Sequence, residues 1–132
     1  MSDDTPDVSV VLPVFNEVTH LREDFDRITE ALDASSYSYE LIVVDDGSTD
    51  GSSEALAEMA AAGEIRLISL PENRGTGTAR RQGTLAARGD VVVWTDVDMT
   101  YPNDEIPALV KSLEGYDQVV GARTSEQGTA KF

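Results

Sequence analysis

The chain has 132 residues, enough for one domain with a sizeable core, and its 25 acidic and 10 basic residues give a net charge of −15. This acidity argues against a nucleic-acid-binding surface, and the absence of cysteine excludes disulfides, zinc–thiolate sites and thiol nucleophiles. No apolar stretch approaches the roughly 20 residues of a membrane helix, and residues 1–7 are too acidic for a secretory signal, so we expect a cytoplasmic protein.

The acidity itself has two interpretations, and both stay open. One is a solvated acidic surface without a specific partner. The other is adaptation to a salt-rich, halophilic cytoplasm, where screening weakens the repulsion among the carboxylates.

Apolar runs alternate with helical patterns along the chain. Strands are predicted at residues 8–12, 39–44, 65–70, 91–95 and 118–120, and Pro13 is expected to end the first. Helices are predicted at about 52–62 and 78–88. Two further helical faces consist of Val18, Leu21, Phe25, Ile28 and Leu32, and of Ile106, Leu109, Val110 and Leu113. This alternation predicts an α/β fold with a mainly parallel sheet that is covered on both faces.

Polar clusters follow four of the predicted strands. They comprise residues 13–17, 45–48, 71–75 and 96–98. Ligands of such sheets bind beyond the carboxyl ends of the strands, so the four clusters are expected to line one binding edge.

Asp96 and Asp98 follow the apolar run 91–94 directly. Two carboxylates at the end of a buried strand are costly unless a cation lies between them, and Mg²⁺ or Mn²⁺ takes such hard oxygen ligands and shares its other sites with a diphosphate. Successive side chains of a strand alternate in direction, so the chain must turn here. One aspartate can then ligate the metal while the other contacts a ribose or sugar.

Residues 45–50 lie where a strand leads into a helix. A turn with a helix cap accounts for Gly47 and for Ser48 or Asp50. It leaves the adjacent carboxylates of Asp45 and Asp46 unexplained, and one of these could accept a hydrogen bond from the N–H edge of a uracil or guanine ring.

Residues 73–83 combine glycines with Arg74, Arg80 and Arg81 at the start of a predicted helix. Backbone N–H groups, a helix N-terminus and an arginine together favour a phosphate. A Rossmann dinucleotide loop is disfavoured because residue 80 is arginine and because the loop follows the third strand. The same position argues against a sugar-nucleotide pyrophosphorylase, whose glycine-rich loop follows the first strand.

The segments at residues 10–17, 43–51, 73–80 and 96–98 resemble the family 2 glycosyltransferases in order and spacing. The similarity runs from Val8 to Arg123. Residues 96–102 followed by 120–123 are most similar to the dolichol- or polyprenyl-phosphate sugar synthase branch, which usually has glutamine at the position of Thr100.

This resemblance implies a three-layer α/β/α GT-A fold, Rossmann-like, and inverting transfer from a UDP- or GDP-sugar to a polyprenyl phosphate or glycan. By position it also implies a substrate-binding set and a metal-binding pair. The substrate set comprises Pro13, Val14, Asn16 and Glu17 at the base and ribose, Asp45 and Asp46 at the base, Arg74 and Arg80 at the diphosphate, and Asp96 at the ribose or sugar. The metal pair is Asp98 with Asp96, for Mg²⁺ or Mn²⁺.

Family members are usually much longer, so the chain is expected to be an N-terminal donor-binding part. We predict a flexible acidic segment at 1–7, a nucleotide-sugar-binding domain at 8–123 and a tail at 124–132 that leads to an acceptor-side region. No catalytic base is assigned, and the chain alone is expected to be weakly active or inactive. It has no predicted membrane segment, so any contact with a membrane face would come from other regions or from the acceptor. A non-catalytic nucleotide-binding module is the alternative.

Overall fold

The computed structural model describes residues 5–96 and 103–116, in which strands and helices alternate. The strands are β1 (Val8–Val14), β2 (Tyr39–Asp46), β3 (Arg66–Leu70) and β4 (Val91–Trp94). The helices are α1 (Leu21–Asp33), α2 (Ser52–Ala61), α3 (Thr76–Ala86) and α4 (Ile106–Ser112), and a 3₁₀ turn at Asn103–Glu105 leads into α4. Among these residues, no helix has both the length and the apolar character to cross a bilayer.

The strands form one sheet in the order β3-β2-β1-β4, and every neighbouring pair is parallel. Parallel strands need crossover connections, which α1, α2 and α3 supply. The predicted α/β class with a mainly parallel sheet is therefore confirmed. The strand predicted at 118–120 lies outside the described residues.

Helices cover both faces of the sheet. On one face the even-numbered side chains of β1 pack into an apolar core with α1, α2 and α4, whose buried members include Phe25, Leu56 and Ile106. On the other face α3 lies so close that a Cβ at Gly83 would overlap Val11 and would also crowd Val44. Glycine at this position lets α3 approach the sheet, and the result is the expected three-layer α/β/α arrangement.

Pro13 lies inside β1, so the prediction that it ends the strand is wrong. The carbonyl of Val11 accepts the Thr95 N–H, which shows that the polar backbone groups of Val11 point toward β4. The backbone groups of Pro13, two residues further along β1, also point toward the β4 side. However, β1 and β4 are paired only as far as Val11 and Trp94. The N–H that proline lacks would therefore have no ladder partner, and the strand continues at no cost.

The first helical face is shorter than predicted. The chain first makes a turn in which the His20 N–H donates to the Glu17 carbonyl at 3.0 Å, and α1 begins only at Leu21. Val18 therefore precedes the helix and is 41% exposed. The other predicted members of this face are buried: Leu21, Phe25, Ile28 and Leu32.

Candidate functional site

The carboxyl ends of all four strands lie along one edge of the sheet, because the strands are parallel. The segments after β1, β2 and β3 and the first residues after β4 therefore meet there, as expected from the polar clusters. Asp45 and Asp46 belong to β2 itself, opposite Ser69 and Leu70 of β3, so this strand runs two residues further than predicted.

The segment after β1 is fastened to the segment after β2. The Asn16 N–H donates to the Ser48 hydroxyl at 3.0 Å, and the Asn16 side-chain oxygen accepts from the Thr49 N–H at 2.7 Å. The Glu17 N–H donates to the Ser52 hydroxyl at 3.1 Å. Asn16 has a φ of 53°, a left-handed conformation that asparagine tolerates better than most residues. Pro13 and Val14 are the last two residues of β1, just before this segment, and Val14 is fully buried.

Asp45 and Asp46 are only 2% and 3% exposed and, as neighbours in a strand, point to opposite faces of the sheet. The Asp45 carboxylate accepts from the Ser48 N–H at 3.0 Å and from the Ser53 hydroxyl at the start of α2.

The Asp46 carboxylate instead accepts from two backbone N–H groups before α3, those of Arg74 at 2.7 Å and Gly75 at 2.9 Å. Asp46 thus ties the loop after β3 to the end of β2. Every oxygen of the two carboxylates has a protein donor, and each keeps a second lone pair for a ligand.

The start of α2 and the hydrogen bonds of Asp46 and Asp50 differ from what the sequence predicted. Ser48 or Asp50 was expected to cap α2, but its N-cap is Gly51, in the left-handed conformation with a φ of 99°. Asp50 instead accepts from the N–H and the hydroxyl of Ser52, the first residue of the helix. The donors to Asp45 are local, three and eight residues further on, whereas those to Asp46 are 28 and 29 residues away and depend on tertiary proximity, for which a single sequence carries no signal.

The two candidate phosphate-binding arginines occupy different surroundings. Arg74 is exposed, and its guanidinium lies 3.1 Å from a Glu72 carboxylate oxygen. Arg80 lies in the second turn of α3, half-buried, with its Nη2 3.7 Å from Oδ1 of Asp96 and its guanidinium 5.7 Å from the centre of the Trp94 ring. The structure therefore brings Arg80 and Asp96 together, across the gap between α3 and the end of β4.

A shallow cavity of about 380 Å³ lies beside Arg80. Gly77 and Thr84 of α3 line it together with the exposed side chains of Leu85 and Trp94. The indole N–H of Trp94 donates to the Thr84 hydroxyl at 2.9 Å, which fixes the ring as one wall.

The predicted metal pair is described only in part. Asp96 is half-buried directly after β4, whereas Asp98 lies outside the described residues. Within residues 5–96 and 103–116 there is no group of three or more histidine, aspartate or glutamate side chains that could hold a metal. A carboxylate at the sheet edge beside an arginine nevertheless fits a divalent cation that takes its remaining ligands from a diphosphate. The donor chemistry of Asp96 suits Mg²⁺ or Mn²⁺.

Curated relatives resemble this chain over nearly all of its length. The undecaprenyl-phosphate 4-deoxy-4-formamido-L-arabinose transferase of Aeromonas hydrophila is 42% identical over 123 residues, which are 91% of this chain and 38% of that protein. The transferase of the same name from Pectobacterium carotovorum is 41% identical over 130 residues, 96% of this chain and 40% of that protein. The chain thus spans about two fifths of the length of these relatives. Their names confirm the resemblance to the polyprenyl-phosphate branch.

Solved structures agree on the fold. The mannosyltransferase of Pyrobaculum calidifontis, in complex with GDP-mannose and Mn²⁺, is 33% identical with a TM-score of 0.66 over 82% of this chain and 32% of that one. The glucosyl-3-phosphoglycerate synthase of Mycobacterium tuberculosis, in complex with Mn²⁺ and UDP, is 30% identical with a TM-score of 0.65 over 85% of this chain and 41% of that one. Both are glycosyltransferases of the GT-A fold, and the expected GT-A fold is confirmed for this chain.

The family model described as Glycosyl transferase family 2 matches residues 9–132. With this match over most of the sequence, and with the parallel sheet whose strand ends carry the polar clusters, the chain belongs to the family 2 glycosyltransferases.

Proposed function

We propose that this chain forms the nucleotide-sugar-binding part of a metal-dependent glycosyltransferase that passes the sugar, with inversion, to an acceptor such as a polyprenyl phosphate. The observation that carries the proposal is the pair of hydrogen bonds that the Arg74 and Gly75 N–H groups donate to the Asp46 carboxylate. It joins the proposed base-binding end of β2 to the proposed phosphate-binding start of α3, so one rigid edge can hold both halves of a nucleoside diphosphate.

The base and ribose are assigned to the segments after β1 and β2. Asn16 and Glu17 are hydrogen-bonded to Ser48, Thr49 and Ser52. The segment after β1 is therefore ordered before any ligand arrives. One of the two carboxylates, Asp45 or Asp46, then presents its second lone pair to a ring N–H group of uracil or guanine. A pocket that is already ordered loses less conformational freedom when a ligand binds.

The diphosphate is assigned to the start of α3 and to its arginines. The first N–H groups of the 11-residue helix α3 have no partners within the helix and carry partial positive charge. Arg80 adds a full charge one turn further on, and Arg74 lies on the loop that Asp46 holds. A diphosphate lying between this loop and Asp96 would contact the first N–H groups of α3, Arg80 and Arg74.

Asp96 and Asp98 are assigned to the metal and to the ribose or sugar. A bound Mg²⁺ or Mn²⁺ would neutralise negative charge on the departing diphosphate. Arg80 supplies fixed positive charge at the same place and pairs with Asp96 until the ligand is bound. Such preorganised charge stabilises a transition state in which the leaving group becomes more negative. The presence of Mn²⁺ with nucleotides in the two solved glycosyltransferases named above supports the metal assignment.

Calorimetric titration of UDP-, GDP- and dTDP-sugars, with and without Mn²⁺, tests the proposal and separates donor class from metal need. We expect one nucleotide class to bind at least tenfold more tightly in Mn²⁺. Asp96→Asn should remove most of that gain. Asp90→Asn changes an exposed aspartate at the opposite end of β4 and should leave the gain unchanged. Equal affinities for every nucleotide with and without Mn²⁺ would overturn the proposal.

A further inference from the structure

A buried chain of polar side chains joins α1 to the residues that follow β4. Asp24 of α1 is 0% exposed, Asn103 is 2% exposed and Thr95 is 6% exposed. The Thr95 hydroxyl donates to the Asn103 side-chain oxygen, and the Asn103 amide nitrogen donates to Asp24 Oδ1 at 2.8 Å. The same nitrogen also donates to the Asp96 backbone carbonyl at 3.3 Å. Asn103 thus bonds to three residues in two parts of the chain, Asp24 of α1 and the consecutive residues Thr95 and Asp96.

This network is costly to bury, which suggests that it does more than fill space. Helices α1 and α4 both contact the 3₁₀ turn that carries Asn103, and Ile106 and Val110 of α4 are buried, so this is a region where apolar side chains would bury without a desolvation penalty. The amide is hydrogen-bonded, and the Asp24 carboxylate also lies 3.9 Å from Nη1 of Arg27, which offsets part of the cost. Replacement of buried polar groups by apolar ones is often neutral for stability. What apolar side chains could not supply is a set of directional bonds to Thr95 and Asp96.

Those bonds act on the first residues beyond the end of β4. Asn103 holds the Asp96 carbonyl and the Thr95 hydroxyl, while on the other side the Asp96 carboxylate lies 3.7 Å from Arg80. The backbone of Asp96 is therefore fixed from the α1 side of the sheet, and its side chain is directed toward α3. Side chains that bind a metal or a diphosphate need this kind of support, because small displacements weaken the contacts.

We propose that Asn103, supported by Asp24 and Thr95, is a positioning residue that aims the Asp96 carboxylate at the metal and diphosphate. This inference rests on the proposed function. It adds that the metal-dependent part of nucleotide affinity depends on residues that do not touch the ligand.

Two variants test it by different routes. Thr95→Val removes the hydroxyl bond with little change of volume and leaves the Asn103–Asp24 bond in place. Asn103→Leu removes all of the Asn103 bonds at similar volume. The matched control is Glu105→Gln, which changes an exposed carboxylate in the same 3₁₀ turn, two residues from Asn103.

The readout is the affinity for UDP and GDP, measured by calorimetry on each variant with and without Mn²⁺. We expect the gain from Mn²⁺ to fall at least tenfold in Asn103→Leu and about threefold to tenfold in Thr95→Val. Affinity without metal should stay within twofold of wild type, because the base is assigned to the segments after β1 and β2 and not to Asp96 or Asn103. A merely structural role would change both affinities together, and the control should change neither.

Asp24 supplies a rescue experiment. Asp24→Asn keeps an oxygen that can accept from the Asn103 amide, so the gain from Mn²⁺ should stay within threefold of wild type, whereas Asp24→Leu should lose it as Asn103→Leu does. If the wild type shows no gain from Mn²⁺, the proposed function fails. If the wild type shows the gain and a folded Thr95→Val variant keeps all of it, this inference alone is overturned. The Thr95→Val result decides the matter even where Asn103→Leu does not fold.

Discussion

Gly47 lies directly against the backbone of Asn73: a Cβ placed on Gly47 would be 2.6 Å from the Asn73 nitrogen. Gly47 also has a φ of 76°, in the region that favours glycine. The turn after β2 and the loop after β3 therefore touch backbone to backbone, beside the bonds from Asp46 to Arg74 and Gly75. Close contact between these two loops gives the candidate site its shape.

Gly47→Ala should destabilise the chain by about 3 kcal/mol, since the left-handed conformation costs about 1 kcal/mol and the overlap with the neighbouring loop costs about 2 kcal/mol more. Urea unfolding measures the free energy. Gly63→Ala is the matched control, because Gly63 has a φ of 79° but has nothing within 4 Å of the added Cβ. The control should cost only about 1 kcal/mol. Equal losses in the two variants would show that the close approach is unimportant.

Asp46→Asn should lower both stability and nucleotide affinity. An asparagine can offer one oxygen to the Arg74 and Gly75 N–H groups, so one buried donor loses its acceptor at a cost of about 1–3 kcal/mol. The loop before α3 then loosens, and UDP or GDP should bind at least fivefold more weakly. Urea unfolding and calorimetry measure the two effects, with the exposed Asp90→Asn as control. An unchanged affinity in a destabilised variant would separate Asp46 from the binding site.

Glu40 should make stability depend on pH. Burial alone would raise the pKa of this carboxyl, but hydrogen bonds from Ser9, Arg88 and Arg66 outweigh burial and hold its pKa below the usual value. A carboxyl whose pKa is lowered by folding contributes stability above its unfolded pKa of about 4.5, and this contribution is lost as pH falls through the lower folded value.

The measurement is the free energy of unfolding in urea between pH 7 and pH 3. Glu40→Gln should cost about 2 kcal/mol at pH 7 and less at pH 3, because the wild type loses this contribution progressively as pH falls below 4.5. Glu58→Gln, at an exposed position of α2, serves as the control and should change little at either pH. A loss in Glu40→Gln that is the same at both ends of the range would contradict this account of Glu40.

Thermal melting in KCl distinguishes the two interpretations of the acidity. With a net charge of −15, repulsion among carboxylates destabilises the compact state at low ionic strength, and salt screens it. Adaptation to high salt predicts that the midpoint temperature rises between low and molar KCl by at least several degrees. A midpoint temperature that stays level or falls would exclude adaptation to high salt and would favour the interpretation of a solvated acidic surface without a specific partner.

The sheet could be predicted from the sequence because continuous apolar runs between helical patterns leave few other arrangements. The misplaced boundaries have physical causes. Pro13 continues β1 because its missing N–H faces a side without a partner strand, and β2 continues through Asp45 and Asp46 because both carboxylates find donors in neighbouring loops. The extent of the β1–β4 pairing and the donors to Asp46 depend on residues distant in sequence, so they could not be predicted from the pattern of residues, whereas Ser48 lies only three residues after Asp45.

The candidate site was predictable as an edge but not as a set of contacts. The clusters after the strands come together because parallel strands share one direction. The contacts of Asn103 were not predicted, since an asparagine after a proline in a loop carries no sign of its bonds to Asp24 and Thr95. Polar residues that support a site from beneath become visible only when the packing around them is known.

Titration of UDP and GDP into the chain and into its Asp98→Ala variant, with and without Mn²⁺, tests the assignment of a metal-dependent nucleotide site most directly. The wild type should bind one of the two nucleotides at least tenfold more tightly with Mn²⁺, and Asp98→Ala should lose most of that gain while keeping its metal-free affinity. A variant whose affinity and metal dependence both match the wild type would contradict the assignment and would favour a nucleotide-binding module without catalytic metal.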